Sequence, residues 1–467
     1  MLSAKKINVL LRGSLCVGWL PLLFLLSTPA YANTADSTKT AKKERIKTHL
    51  KQHYKPYGFV RNFFAFDSRE CLAGSGDLFM YLPKDNKWNQ TEEEAAASGL
   101  PREDLNANST FRFLSLTTRV GLNIVGYKYL NTEFGGKIEA DFYAGMSKVT
   151  GQNHSVTGTA QLRLRQAYLT MAWDSLPMGT KDLAKVELLL GQTWHPFSMD
   201  LPDVIALNNG APFQPFCRTP QVRMNARLGQ YVSLMAAAIW QMQYVSTGPQ
   251  GASAEYIAYG KTPEAYLGLN VHDKGVLFRA GADVLSIRPR HEGTLNGVKI
   301  KVKDRITTVS PFLYLQYKKG EFSIKAKTVF AQAGEHMNLN GGYGVKAVNA
   351  DGSWSYTPTL NSTSWISLVY GGNLKNDSKL QGILYGGYVR NFGPMDEVID
   401  ADGDGKKDLY FSKNSFTNLN RMWRLSPTLL WTIGKFQLGC EYEITSVQYD
   451  AHWVTNHRVQ VMTKYNF

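Results

Sequence analysis

Beyond residue 56 nearly every segment alternates apolar and polar side chains with a period of two, as a strand with two unlike faces does. The last segment shows it best. Val459, Val461, Thr463, Tyr465 and Phe467 share one face, and Arg458, Gln460, Met462, Lys464 and Asn466 share the other. Comparable segments fall near 57–67, 111–124, 134–146, 160–173, 185–197, 220–229, 231–245, 263–272, 275–288, 305–318, 320–333, 363–371, 379–391, 423–433, 435–448 and 456–467, sixteen in all. An even count, with the ~9–11 residues a tilted span needs, predicts an all-β chain folded as a transmembrane antiparallel barrel. Closure is what pairs every backbone group inside hydrocarbon. A soluble sandwich also alternates, but the aromatic Phe467, ending the chain in mid-strand, favours the membrane barrel.

The connections divide by length. If the first strand rises from the periplasm, 229–231, 272–275, 318–320 and 433–435 are periplasmic turns, while 68–110, 198–219, 289–304, 334–362 and 392–422 are long external loops. Two places break the pattern. Ala167–Ala172 is apolar on both faces, which marks either a face against a neighbouring subunit or a slip in register, and the strand at 363–371 has room to begin within 343–360.

Composition narrows the choice. Of 467 residues, 43% are hydrophobic and 12% aromatic, which excludes a disordered chain. After the N-terminus no apolar run approaches the ~18 residues of a spanning helix, so a bundle of membrane helices is excluded too. The net charge of +14 is concentrated early: residues 1–55 hold ten Lys or Arg against Asp36 and Glu44, leaving +6 for the rest. Nucleic acid is therefore not an implied partner. Lys5, Lys6 and Arg12 precede an apolar stretch from Leu15 to Leu26, and Ala30-Tyr31-Ala32 offers a cleavage site. The predicted organisation is a signal peptide at 1–32, a basic periplasmic arm at 33–55 and the barrel at 56–467, in the outer membrane of a Gram-negative cell. The arm is far too short for the plug of a 22-stranded active transporter. Cleavage after Ala32 leaves Cys71, Cys217 and Cys440, of which Cys71 and Cys217 are a candidate pair in loops.

Alternation assigns the lumen. Arg61, Arg119, Lys137, Arg163, Arg165, Arg223, Arg227, Arg279, Lys325, Lys327, Arg424, Arg458 and Lys464 point inward, against the fewer acids Asp67, Glu139, Asp141, Glu187, Asp283, Glu441 and Glu443. An arginine-rich wall lowers the barrier to anions, and selectivity then comes from pore width and field rather than from bond chemistry. In Asp400-Ala-Asp402-Gly-Asp404-Gly-Lys406-Lys-Asp408, aspartates at loop positions 1, 3, 5 and 9 and Gly405 at 6 reproduce much of a Ca²⁺ loop, with the Lys406 carbonyl at position 7. Phe411 stands where a bidentate Glu would close the shell, so Ca²⁺ competes with a solvated acidic turn. His195 in TWHPF reads as a capped structural residue. No HExxH, CxxC pair, GxSxG or phosphate-binding glycine loop points to an enzyme.

Several stretches carry a resemblance: GFVRNFFAFDSRE at 58–70, LTTRVGL at 116–122, GGKIEADF at 135–142, RLRQAYLTM at 163–171, LLLGQTWHPF at 188–197 and NNGAPFQPFCRTPQVR at 208–223. With the final strand they cover about half the chain. They resemble the outer-membrane porins of Bacteroides-type bacteria and, more distantly, trimeric sixteen-stranded general porins. The resemblance implies a homotrimeric channel whose third external loop, here 198–219 with Asp200, Asp203, Asn208 and Asn209, folds into the lumen. The dense acidic signature of general porins is missing from that loop. The combined expectation is passive diffusion of small hydrophilic, preferentially anionic solutes through an outer-membrane barrel. A substrate-selective channel for a sugar or dicarboxylate, and a non-conducting surface adhesin or structural barrel, stay open beside it.

Overall fold

The computed structural model describes residues 52–467 except 75–78, 116, 145–159, 175, 179–180, 184, 375–376 and 412–417. The predicted signal peptide and nearly all of the basic arm lie outside the described residues. Sixteen strands close into an antiparallel barrel. They are β1 (Tyr54–Asp67), β2 (Thr110–Leu114 continued by Arg119–Tyr129), β3 (Thr132–Ala144), β4 (Ala160–Trp173), β5 (Lys185–Trp194), β6 (Arg218–Leu228), β7 (Val232–Ile239) and β8 (Glu264–Asp273). The second half is β9 (Val276–Ile287), β10 (Ile306–Lys319), β11 (Phe322–Gln332), β12 (Trp354–Leu374), β13 (Ser378–Pro394), β14 (Leu419–Ile433), β15 (Phe436–Tyr449) and β16 (His452–Asn466). Each strand pairs with its neighbour in sequence, and β16 returns to β1, running from Phe59 opposite Asn466 to Asp67 opposite Arg458. At this seam the Phe467 amide donates to the Gly58 carbonyl at 3.0 Å, and the Phe467 ring lies where a Cβ at position 58 would sit, 2.4 Å away. Only glycine leaves room there for the ring.

The outer surface is apolar because alternate residues of every strand point away from the lumen: Val60, Phe64 and Phe66 on β1, Leu429 and Trp431 on β14, and Val459 and Tyr465 on β16 are all exposed. One rim carries turns of a few residues, among them Leu130–Asn131, Lys274–Gly275 and Gly434–Lys435. The other rim carries the long connections 68–109, 195–217, 240–263, 288–305, 333–353 and 395–418, and one tight turn at Asp450–Ala451. No described helix is long and apolar enough to cross a membrane.

Three details depart from regular alternation. β12 begins at Trp354, well before residue 363, and its early part pairs with Gly342–Val348, which extends the wall beyond the rim. On β4, Gln166 faces Glu139 while Leu164 faces Ala140, so Arg165 is an extra residue in a bulge. That bulge resolves the doubly apolar stretch: Arg165 and Gln166 both turn inward, the phase flips, and Leu169 is exposed outside. Finally, the inward face is not uniformly polar. Phe63, Tyr266, Phe312, Tyr314, Trp365, Tyr385, Met422 and Val447 point into the barrel and are buried there. They are dry because loops from the long-loop rim fill that part of the lumen.

Candidate functional site

The connection between β5 and β6, 195–217, supplies most of this filling. It leaves β5, turns through a short 3₁₀ segment at Pro196–Ser198 and crosses to the far wall. Asp200 pairs with Arg279 of β9 at 3.5 Å, and Asp203 with Lys325 of β11 at 2.8 Å. The Asp203 amide and carboxylate both meet Ser367 Oγ of β12 at 3.2 Å. Farther along, Ile205 N–H donates to Glu441 of β15, Trp365 Nε1 to Gln214, Thr363 to the Phe213 carbonyl, and Arg424 to the Ala211 carbonyl. The first connection joins it through its hairpin Cys71–Gly74 and Phe79–Pro83: Asn208 Nδ2 donates to the Met80 carbonyl at 2.7 Å, and Phe79 meets Phe216 edge-on. Phe197, Phe213, Phe216 and Tyr81 are essentially sealed from solvent in the shared apolar core. The loop expected at 198–219 thus packs against the inner face of β9, β11, β12, β14 and β15. Its acids, however, are neutralised against the wall, and Asn208 and Asn209 hold loop backbone rather than facing a passage.

Among the described residues no hydrogen bond or ion pair ties this loop to β1–β3, and of the basic residues singled out from the alternation that wall carries Arg61, Arg119 and Lys137, with Arg163 and Arg165 on the adjoining β4. Some of them are spent on structure. Arg163 holds Asp141 through two parallel bonds of 2.9 and 3.0 Å, and the buried Arg165 reaches Glu139 at 2.9 Å and Asp141 at 2.6 Å. Tyr57 O–H and Gln166 complete the shell of Glu139, with Arg119 at 3.5 Å and Lys137 at 3.7 Å. Likewise Asp67 is held by Arg458 at 2.7 Å and Arg112 at 3.5 Å. Others keep their charge. Arg61 donates to Thr117 Oγ1, and it rings Phe59 together with Arg119 and Lys464, with 5.2, 5.0 and 4.6 Å to the centroid. Arg218 stands 4.9 Å over Trp194, and Arg223 points at Met199 Sδ. No ion pair among the described residues involves Arg61, Arg218, Arg223 or Lys464. Glu187 shares a stretch of wall with Tyr168 and Arg223. Arg227 is exposed beside His272 near the short-turn rim, at 2.8 Å, and so lies away from the loop.

His195 does cap the 3₁₀ segment, its Nδ1 accepting from Phe197 N–H at 3.1 Å. Its other nitrogen meets Glu264 and Asp283, which His336 joins in a buried group; of these the alternation had marked only Asp283, as an inward acid. Burial pushes the His195 imidazole down to about 4, with Asp283 offsetting only part of it. Burial also opposes charge on His336, but Glu264, Asp283 and Glu335 outweigh it and push its pKa up to about 9. The only sequence signal was four ionisable residues at strand ends or in loops, too far apart in the chain to form a motif.

In the predicted Ca²⁺ loop, carboxylate oxygens of Asp400, Asp402 and Asp408 come within 4.8 Å of one another. Gly403 and Gly405 take positive φ, which allows Asp400 to accept the amides of Gly403, Asp404 and Gly405. These amides hold Asp400 below the usual carboxylate range. Asp402 gains one such bond from Asp404, yet the crowd of neighbouring carboxylates raises it. Asp404 instead accepts from Lys406 N–H at 2.8 Å. Cys71 and Cys217 are buried separate thiols, so the candidate disulfide is not formed, and Cys440 is exposed on the outer face.

Comparison places this architecture among solved porins. The chain is similar to the outer-membrane channel DcaP of Acinetobacter baumannii, with a TM-score of 0.59 and 19% identity over 89% of this chain and 97% of that one. It is also similar to OmpT of Vibrio cholerae, at a TM-score of 0.46 and 11% identity over 89% and 97%. A third is an anion-selective porin from Comamonas acidovorans, at 0.47 and 8% over 89% and 99%. No family model and no curated protein matches the chain. What is shared is the fold: a sixteen-stranded barrel of the porin kind.

Proposed function

We propose that the chain is an outer-membrane porin, working as a homotrimer, that lets small hydrophilic solutes diffuse through its lumen and favours anions over cations. The observation that carries this reading is the set Arg61, Lys464, Arg218 and Arg223, cations on the inner wall that no carboxylate neutralises among the described residues. In a narrow lumen with low-dielectric walls, fixed charge of one sign concentrates the opposite ion. Proteoliposomes should admit a small monocarboxylate several-fold faster than an organic cation of equal size, and Arg61→Gln with Lys464→Gln should bring the two rates together. Equal rates in the unaltered protein would contradict the reading.

The packed core between the first and third connections favours, among the alternatives, a narrow substrate-selective passage over a wide general one. Uptake that saturates with solute concentration would mark it. Placement with the Bacteroides-type porins rests on the sequence stretches alone. The loop at 400–408 is proposed to take one Ca²⁺ through Asp400, Asp402 and Asp408, whose mutual repulsion a hard cation would relieve. Chelation should then expose 395–418 to protease.

A further inference from the structure

His195, at the exit of β5, Glu264, opening β8, Asp283, on β9, and His336, between β11 and β12, converge from four separate stretches of chain. All four are at most 3% exposed. Their facing atoms form a ring: His195 Nε2 to Glu264 Oε1 is 2.5 Å, Glu264 Oε1 to His336 Nε2 is 3.7 Å, His336 Nε2 to Asp283 Oδ2 is 3.6 Å, and His195 Nε2 to Asp283 Oδ1 is 3.8 Å. Donors ~2.0–2.2 Å from one ion sit a little over 3 Å from each other, so three of the four edges need to contract by only about half an ångström. Glu264 Oε2, Asp283 Oδ1 and both ring nitrogens of His336 are buried without a hydrogen-bond partner. Such atoms are costly unless something satisfies them.

We propose that His195, Glu264 and Asp283, whose ligand atoms lie within 4.8 Å of one another, bind one divalent transition-metal ion, with His336 closing on it from beside Glu264 and Asp283. Two imidazoles and two carboxylates are a borderline donor set that suits Zn²⁺ better than Ca²⁺ or Mg²⁺, which take oxygen shells. Two ionised carboxylates balance the charge of the ion with both histidines neutral. Its role is to anchor the lumen loop. His195 is the root of that loop, and the residue after His336 accepts the Phe216 amide through its carbonyl at 3.0 Å, so the ion joins both ends of the loop's sealed core to β8 and β9. The 333–341 segment is shaped for this: Gly334 and Asn338 take positive φ on either side of the short helical turn that holds His336.

The test uses the full barrel in detergent, stripped with a strong chelator and titrated with Co²⁺ as the probe. One equivalent should bind, give visible d–d absorption, and be displaced by Zn²⁺. X-ray absorption of the loaded protein should show a nitrogen and oxygen shell with scattering from two imidazoles, a readout that needs no variant. His336→Gln and Asp283→Asn should lose the absorption, while replacing Asp400, Asp402 and Asp408 with Asn should leave it intact. No Co²⁺ uptake by the folded, heat-modifiable barrel, or a shell without imidazole, would overturn the proposal.

Discussion

At the scale of single residues, the arginines of the wall divide into two kinds that their spacing alone does not separate. Arg165 is buried and shared between Glu139 and Asp141. Arg165→Met should take from Glu139 and Asp141 the one buried cation they share, leaving Arg163 on Asp141 and the more distant Arg119 and Lys137 on Glu139, and cost about 3 kcal/mol, read as a lower unfolding temperature in detergent. Arg61 donates to a threonine and borders the Phe59 ring. Arg61→Gln should change stability by only about 1 kcal/mol while reducing anion preference, because it gives up one hydrogen bond to Thr117 and no ion pair. Both belong to the inward set read from the alternation. It could not say which was neutralised, since partners come from adjacent strands and depend on register. The bulge at Arg165, which brings Gln166 and Arg165 onto the same carboxylate, breaks the period-two rule on which the sequence reading relied.

At the scale of elements, the strands were legible because every one of them sits between an apolar outside and a lumen, so each must alternate. Every predicted strand has a counterpart, but β7 stops at Ile239 where alternation carried it to 245, and β12 starts earlier because its first residues pair with a strand of the preceding loop. Loops were legible in length, and for 198–219 the resemblance gave a destination, but the partners of their charges were not legible. Asp200 and Asp203 looked like constriction charges, but Arg279 and Lys325 are positioned by β9 and β11 to hold them. Asp203→Ala should therefore loosen the crossing loop by roughly 1 kcal/mol and appear as added open-channel current noise. The first connection offers a pH test. Burial works against the Asp104 charge, but the amides of Lys87 and Asn106 and the Arg69 guanidinium outweigh it and hold its pKa below the usual value of 3.8. The stability Asp104 contributes is complete above that unfolded value and is lost as pH falls through the lower folded one. Residues 84–108 should resist protease from neutral pH down to about 4 and become cleavable in stronger acid, whereas Asp104→Asn should be cleavable throughout.

For the whole molecule, the same wall meets two solvents. Exposed Val60, Phe64, Phe66, Leu429 and Trp431 face outward, and charge collects on the inner side of β1–β6 and β16. The buried ring of His195, Glu264, Asp283 and His336 joins the root of the lumen loop to β8 and β9, so loop position and passage shape depend on one another. In the proposed channel an open path runs along the basic side of the lumen. Reversal potential in a planar bilayer under a salt gradient reads that path. Discrete conductance steps are expected, with a reversal potential shifted toward the anion equilibrium value. A silent bilayer, or a shift toward the cation value, would contradict it.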